Sequence, residues 1–161
     1  MVLAEKVYAG DIQSPPIDTG TIIQDIRREY QVINAGVPTF RKVQKELPEA
    51  SSEGGALYKF YDKGKVLRKM VCVSYGAIGK IREEYYLRND TLLFVYTKEE
   101  IYKEPIDVNS NPVIREVTEN RYYFNNNRMV QWLKNTQKMK PAEFSRAAGE
   151  ILQLFKGHLK E

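Results

Sequence analysis

Apolar positions change their spacing twice along this chain, from a helical period to a strand pattern and back. Ile22, Ile23, Ile26, Tyr30 and Ile33 recur at three- and four-residue intervals, while Gln24, Asp25, Arg27, Arg28 and Glu29 fill the other positions. That spacing gathers the isoleucines on one stripe and predicts an amphipathic helix over 19–34 that covers an apolar surface. Asp18 or Thr19 can cap its start, and Gly36 stands just past its end. Near the other terminus Phe144, Ala148, Ile151, Phe155 and Leu159 form a second stripe with Leu152 beside it. Pro141 suits a first helical turn and Glu143 the positive helix terminus, so a closing helix is predicted over 141–158.

Between the helices one short pattern recurs: aromatic residues, a polar turn, a basic or polar residue, then an aliphatic one. Tyr85 to Leu92 and Tyr122 to Met129 match position for position in type, Lys59 to Val66 keeps the core of the pattern, and Ser74 to Ile81 is a looser copy. The sixth position holds Gly64, Gly79, Asp90 or Asn127. Those residue types tolerate a positive φ, as a tight turn between antiparallel strands demands. The repeat cuts the chain into strands at roughly 56–61, 65–75, 80–88, 92–102, 114–124 and 128–134. The intervals are too short for crossover helices, so neighbouring strands pair antiparallel. Phe40 to Val43 reads as either a short strand or a helical turn, residues 47–55 as a loop, and Glu104 to Val113 as a second loop.

The fold class that follows is α+β: an antiparallel β-meander of five to six strands packed against N-terminal and C-terminal amphipathic helices. Both helices are expected on one sheet face, as two layers. Ser14-Pro15-Pro16 makes residues 1–17 an irregular arm, and 18–161 a single domain. At 161 residues the chain is the size of one domain. No apolar run approaches the ~20 residues of a membrane helix. The amino terminus lacks the basic and apolar regions of a secretory signal, which leaves a cytoplasmic protein or a mature exported one.

Charge and chemistry narrow the picture further. Eight Lys and Arg residues stand against three acids between Leu57 and Arg88. They read as a solvated sheet face, or else as a patch for a polyanion. The chain has one Cys and one His. Cys72, inside Met70-Val71-Cys72-Val73, reads as a buried inert thiol, and His158 as an exposed side chain near a helix end. Neither a multi-His metal site nor a Ser-His-Asp arrangement with a G-x-S-x-G elbow is present, so no catalytic residue, metal ligand or cofactor is assigned. Glu83 with Glu84, and Glu99 with Glu100, are strand neighbours that point to opposite faces. The aromatics remain. One ring of each tyrosine pair is expected in the core and the other on an outer face, where Tyr61, Tyr86, Tyr123 and Trp132, with Lys65 and Lys69, could stack on a sugar or a partner's side chain. The RNA-binding consensus of a ribonucleoprotein sheet is absent, which disfavours nucleic acid.

On Tyr58 to Val66, Tyr75 to Leu93 and Arg121 to Leu133, about half the chain, the sequence resembles a group of small, uncharacterised, often exported bacterial proteins of Bacteroidetes-like genomes. These carry strands of the form YYF-[DN]-[NG]-K-L and a closing Trp, which Trp132 matches. The pattern is weakly similar to MORN-like and YwqK-type antitoxin repeats as well. The resemblance implies the fold and an extracytoplasmic, periplasmic or secreted, location; it implies no activity. The expected function is a non-enzymatic binding or interaction module with a protein or glycan partner. The alternatives are a small enzyme with a carboxylate and tyrosine site in a sheet-helix cavity, and an antitoxin-like protein inhibitor.

Overall fold

The computed structural model describes residues 18–161; the expected arm over 1–17 lies outside them. The Asp18 carboxylate accepts a hydrogen bond from the Gly20 N–H at 3.1 Å and caps helix α1 (Thr19–Gly36). Strands follow as β1 (Arg41–Glu46), β2 (Gly55–Tyr61), β3 (Leu67–Gly76), β4 (Gly79–Arg88), β5 (Thr91–Tyr102), β6 (Ile114–Asn125), β7 (Arg128–Lys134) and β8 (Gln137–Lys138). A 3-10 turn over Pro141–Glu143 leads into helix α2 (Phe144–Lys160). The Glu143 carboxylate accepts from the Lys140 N–H at 2.8 Å and fixes that entry.

Every strand pairs antiparallel with its sequence neighbour, so the sheet order is the chain order, β1 to β8. The fold is α+β with an antiparallel meander between two helices, as expected, but it has eight strands and not five to six. The six expected strands are β2 to β7. β1 is exposed along its whole length and carries Lys and Arg on an outer edge, so no apolar alternation announces it. β8 is two residues long and is held by pairing to Leu133 and Lys134.

The helices cover opposite faces of the sheet, which corrects the two-layer arrangement. Ile23, Ile26 and Ile33 of α1 pack with Tyr86, Leu93, Phe94 and Tyr123. Ile151 and Phe155 of α2 pack with Leu57, Met70, Cys72, Tyr85, Leu87, Val95, Tyr122 and Phe124. Strand alternation sends the two rings of each tyrosine pair to different faces, and both faces are covered. Tyr85 and Tyr86 are each 1% exposed, so neither pair leaves a ring on an open face.

The turns obey the repeat in two places and depart from it in two. Asn89-Asp90 and Asn126-Asn127 each form a two-residue hairpin loop with positive φ at both residues, as a type I′ turn requires. Gly64 and Gly79 do not have positive φ, contrary to expectation. In the β2–β3 turn the left-handed residue is Lys65 (φ 62°), because the Asp62 carboxylate and carbonyl accept from the Val66 and Lys65 N–H groups and shift the turn by one position. Gly79 is required for a different reason: a Cβ there would sit 2.5 Å from the Glu100 carbonyl oxygen of the neighbouring strand.

Candidate functional site

The six residues named from the sequence do not converge. Tyr86, Tyr123 and Lys69 lie on the α1 face, and all three are buried. Trp132 is half-buried on the α2 face, where its indole N–H donates to Asn120 Oδ1 at 2.9 Å and its ring lies 5.4 Å from that of Tyr122. Tyr61 sits under the Arg41 guanidinium, 4.6 Å from its ring centroid, and Lys65 is an exposed turn residue outside β3. The expected sharing of one strand face by Lys65 and Lys69 therefore fails.

Much of the basic segment is taken up by ion pairs. Arg68 pairs with Glu29 and Asp62, and Arg88 pairs with Asp25 of α1 at 2.9 Å. Lys69 lies 2.8 Å from Glu84, donates to Asn34 at 3.0 Å, and sits 4.7 Å from the Tyr86 ring centroid. Its ammonium holds the α1 face together and is not presented to a polyanion.

On the other face, a cavity of about 900 Å³ opens between β3 and β4, the loop after β1, and the last three turns of α2. Leu47, Pro48, Ala50 and Leu154 supply apolar wall. Five carboxylates, Glu46, Glu49, Glu83, Glu150 and Glu161, line it; Lys45, the one ammonium in the lining, pairs with Glu161, and Arg146, one helical turn earlier, pairs with Glu150 at 2.9 Å at the exposed rim. A chain of formal charge +4 thus has an acidic cavity. Glu83 and Glu84, adjacent in β4, serve different faces as strand alternation requires; only Glu83 reaches this cavity.

The inner wall brings together three side chains of different chemistry. Cys72 and Glu83 are directly opposed across the β3–β4 pairing, and His158 approaches from α2. The thiol sulfur, one carboxylate oxygen and one imidazole nitrogen lie within 4.8 Å of one another. His158 is 13% exposed and packs edge-on against Tyr85, with ring centroids 5.4 Å apart, so the expected exposed histidine is corrected. Ile151, Phe155 and His158 stand at i, i+4 and i+7, one stripe of α2, and that is why the imidazole turns inward. Its Nε2 is buried without a hydrogen-bond partner, the one such side-chain atom among the described residues. Glu83 Oε2 stands 3.9 Å away, beyond hydrogen-bonding range.

Burial sets the proton affinities here. It pushes the Glu83 carboxyl above its ordinary value, against a 3.2 Å hydrogen bond from the Tyr85 hydroxyl. It lowers His158 below its ordinary value, with Glu161 opposing and Lys59 assisting. Burial and the neighbouring Glu83 push the Cys72 thiol up to about 11, against a hydrogen bond with Ser74. The thiol is buried, as expected, and is not activated as a nucleophile. No family model, curated protein or solved structure matches this chain. The site accordingly rests on its own geometry.

A second cavity, about 450 Å³, lies on the α1 face among Tyr30, Phe94, Tyr96, Tyr123, Arg27 and Arg121. Three of its polar groups, Tyr96, Arg121 and Glu84, have partners. The Tyr96 hydroxyl donates to Glu119 at 2.7 Å, Arg121 pairs with Glu119 at 2.9 Å, and Glu84 is held by Lys69 and Arg82. Cavity polar groups that already satisfy one another lose those bonds on meeting a ligand. The larger cavity, with an unpartnered imidazole and a desolvated carboxyl, is the stronger candidate. Sequence reasoning allowed a site in a sheet-helix cavity but missed this cluster, because its three inner residues come from three elements and share no local spacing. The helical phase of His158 with Ile151 and Phe155 was the available signal. Among the described residues no helix is long and apolar enough to cross a membrane.

Proposed function

We propose that this chain is a non-enzymatic binding module and that its working surface is the cavity between the sheet and α2, where it takes a small ligand bearing positive charge beside an apolar part. The observation that carries this is the cavity's charge: five carboxylates against one lysine around apolar walls, in a protein that is basic as a whole. Four of the five, Glu46, Glu49, Glu150 and Glu161, are exposed, so they can steer a cation without large desolvation. Leu47, Pro48 and Leu154 give a ligand's hydrocarbon part a surface to cover. A hydrolytic or acyl-transfer enzyme gains no support here, because burial and the neighbouring Glu83 raise the thiol beside His158 above its ordinary value instead of activating it. The family resemblance adds an extracytoplasmic location to the proposal, which fractionation of the source cells tests.

Calorimetric titration with matched organic amines, carboxylates and alcohols tests the reading. Amines such as agmatine bind, and the paired substitution Glu49→Gln with Glu150→Gln weakens them about twofold to tenfold, the scale of two exposed charge contacts. Equal binding of carboxylates and amines sinks it.

A protein partner is the second reading. Ile78, Val108 and Val113 are each more than half exposed, at 66%, 68% and 52%. They lie on the β3–β4 turn and the β5–β6 loop, which the Ile106 N–H ties to the Ala77 carbonyl at 2.9 Å. Ile78→Lys would abolish a complex formed there and leave amine binding intact.

A further inference from the structure

Cys72, Glu83 and His158 raise a question that an organic ligand alone does not answer. Three side chains of different donor type meet at one point of the cavity wall, with one donor atom of each within 4.8 Å of the others, and His158 Nε2, 3.9 Å from Glu83 Oε2, has no hydrogen-bond partner. A buried polar atom without a hydrogen bond costs stability, and most such atoms in folded proteins are paired. A water-free structural role for His158 would be served as well by Phe or Leu, which pack on Tyr85 without an orphaned nitrogen.

We propose that these three residues form a site for a single borderline-soft divalent cation, with zinc the metal that the donor set favours, and with a fourth position open to the cavity. The inference deepens the proposed function and rests on the cavity being the working site: it names the cation held at the inner wall.

The donor chemistry carries the choice of metal. One sulfur, one imidazole nitrogen and one carboxylate oxygen is a set that zinc accepts, whereas magnesium and calcium require oxygen alone. Zinc bonds of about 2.0–2.3 Å in a tetrahedron place ligand atoms about 3.3–3.7 Å apart. The present donors, none more than 4.8 Å from another, reach that spacing by shifts of about 1 Å. Two of the three sit on the sheet, opposed in the Cys72–Glu83 register pair, so their separation is fixed by the β3–β4 ladder. The third rides the last turn of α2, whose end is tethered to β1 by the Lys45–Glu161 ion pair.

The surroundings fit a metal better than a nucleophile. The Tyr85 hydroxyl holds Glu83 Oε1 at 3.2 Å and leaves Oε2 on the His158 side, the kind of outer contact that orients a ligating carboxylate. A nucleophilic thiol needs a neighbour that stabilises its anion, and Cys72 has a carboxylate instead. A divalent cation resolves that arrangement, because its charge compensates thiolate and carboxylate together. With three protein ligands the fourth position faces the cavity, where a water molecule can enter.

Cobalt(II) is the probe that reads this directly. The full chain is stripped with a chelator, kept reduced, and titrated with cobalt(II) and then zinc. One equivalent of cobalt is expected to give a thiolate-to-cobalt charge-transfer absorption in the near ultraviolet, with visible bands of four-coordinate intensity, and zinc is expected to bleach both. Cys72→Ser should remove the charge-transfer band. His158→Phe, which keeps a ring against Tyr85, should weaken cobalt at least tenfold while circular dichroism stays unchanged, and it decides the matter if the serine variant fails to fold. Absence of the bands in the wild-type chain, or unchanged affinity in His158→Phe, overturns the site. Amine binding without metal binding overturns this inference and leaves the proposed function standing. Metal binding without amine binding supports the site and removes the organic ligand.

Discussion

Lys69→Met tests whether a lysine that the sequence offers to a polyanion is instead part of the core. The ammonium is lost, the stem is kept, and Glu84 remains 13% exposed with Arg82 on one oxygen and the Tyr86 hydroxyl on the other. Removing one partner of a buried ion pair typically costs about 3–5 kcal/mol. The 2.7 Å contact from Arg82 survives, so the loss here should be nearer 2–3 kcal/mol, an order-of-magnitude figure that includes the bond to Asn34 and the contact over Tyr86. For a chain of this size that is a fall in Tm of roughly 5–10 °C. Urea unfolding of the wild type, Lys69→Met, Glu84→Gln and the double variant gives the coupling, expected at about 1.5–3 kcal/mol.

The pH dependence has a definite sign. Burial acts to raise the Glu84 carboxyl, but hydrogen bonds from Lys69, Tyr86 and Arg82 outweigh it and hold the group below its ordinary value. The unfolded chain therefore takes up the proton first as pH falls. The stability from this group is complete above the ordinary glutamate range near 4.3 and disappears as pH drops through the folded-state value. Lys69→Met should shrink that acid-side loss. A cost under about 0.5 kcal/mol with an additive cycle refutes the reasoning, since that is the range of ordinary surface substitutions.

Lys65→Gly should stabilise the β2–β3 turn by about 1 kcal/mol in the same urea assay, because a side chain at φ 62° is strained; no gain would mean that the Asp62 hydrogen bonds compensate fully. Gly79→Ala should cost about 2 kcal/mol through contact with the Glu100 carbonyl, whereas Gly64→Ala, at negative φ, should stay within about 0.5 kcal/mol of the wild type. Equal effects at the two glycines would contradict the assigned turn geometry. Phe155→Ala, which empties the α2 face of the core beside Tyr85, should cost about 3–5 kcal/mol by thermal or urea unfolding, and a loss below about 1 kcal/mol would show that α2 is weakly docked.

The legible parts of the fold were those with a period. The isoleucine stripe of α1, the Phe144-to-Phe155 stripe of α2, and β2 to β7 with their Asn and Asp turns all follow from local spacing. β1 was only half legible: Phe40 to Val43 read as either a short strand or a helical turn, because Val43 is the one apolar residue of Arg41–Glu46, and backbone pairing to β2 on one side is enough to hold an edge strand. The placement of the helices was decided by the tyrosine pairs. Consecutive large aromatics in a strand mean two buried faces, and the second face needed its own helix. The cluster at the cavity wall was invisible for a related reason: Cys72, Glu83 and His158 are distant in sequence and meet only after β3 and β4 pair and α2 folds back over them. Lys69 misled in the opposite direction, because a charge in a basic run looks solvated until its partners on α1 and β4 are known.

Chemical-shift mapping on ¹⁵N-labelled protein titrated with agmatine tests the central claim most directly, since it locates the ligand without assuming its affinity. The account predicts shifts concentrated at Leu47 to Ala50, Cys72 to Ser74, Glu83 and Glu150 to Glu161, the residues around the α2-face cavity. Shifts centred instead on Tyr30, Tyr96, Arg121 and Tyr123, around the α1-face cavity, would contradict it.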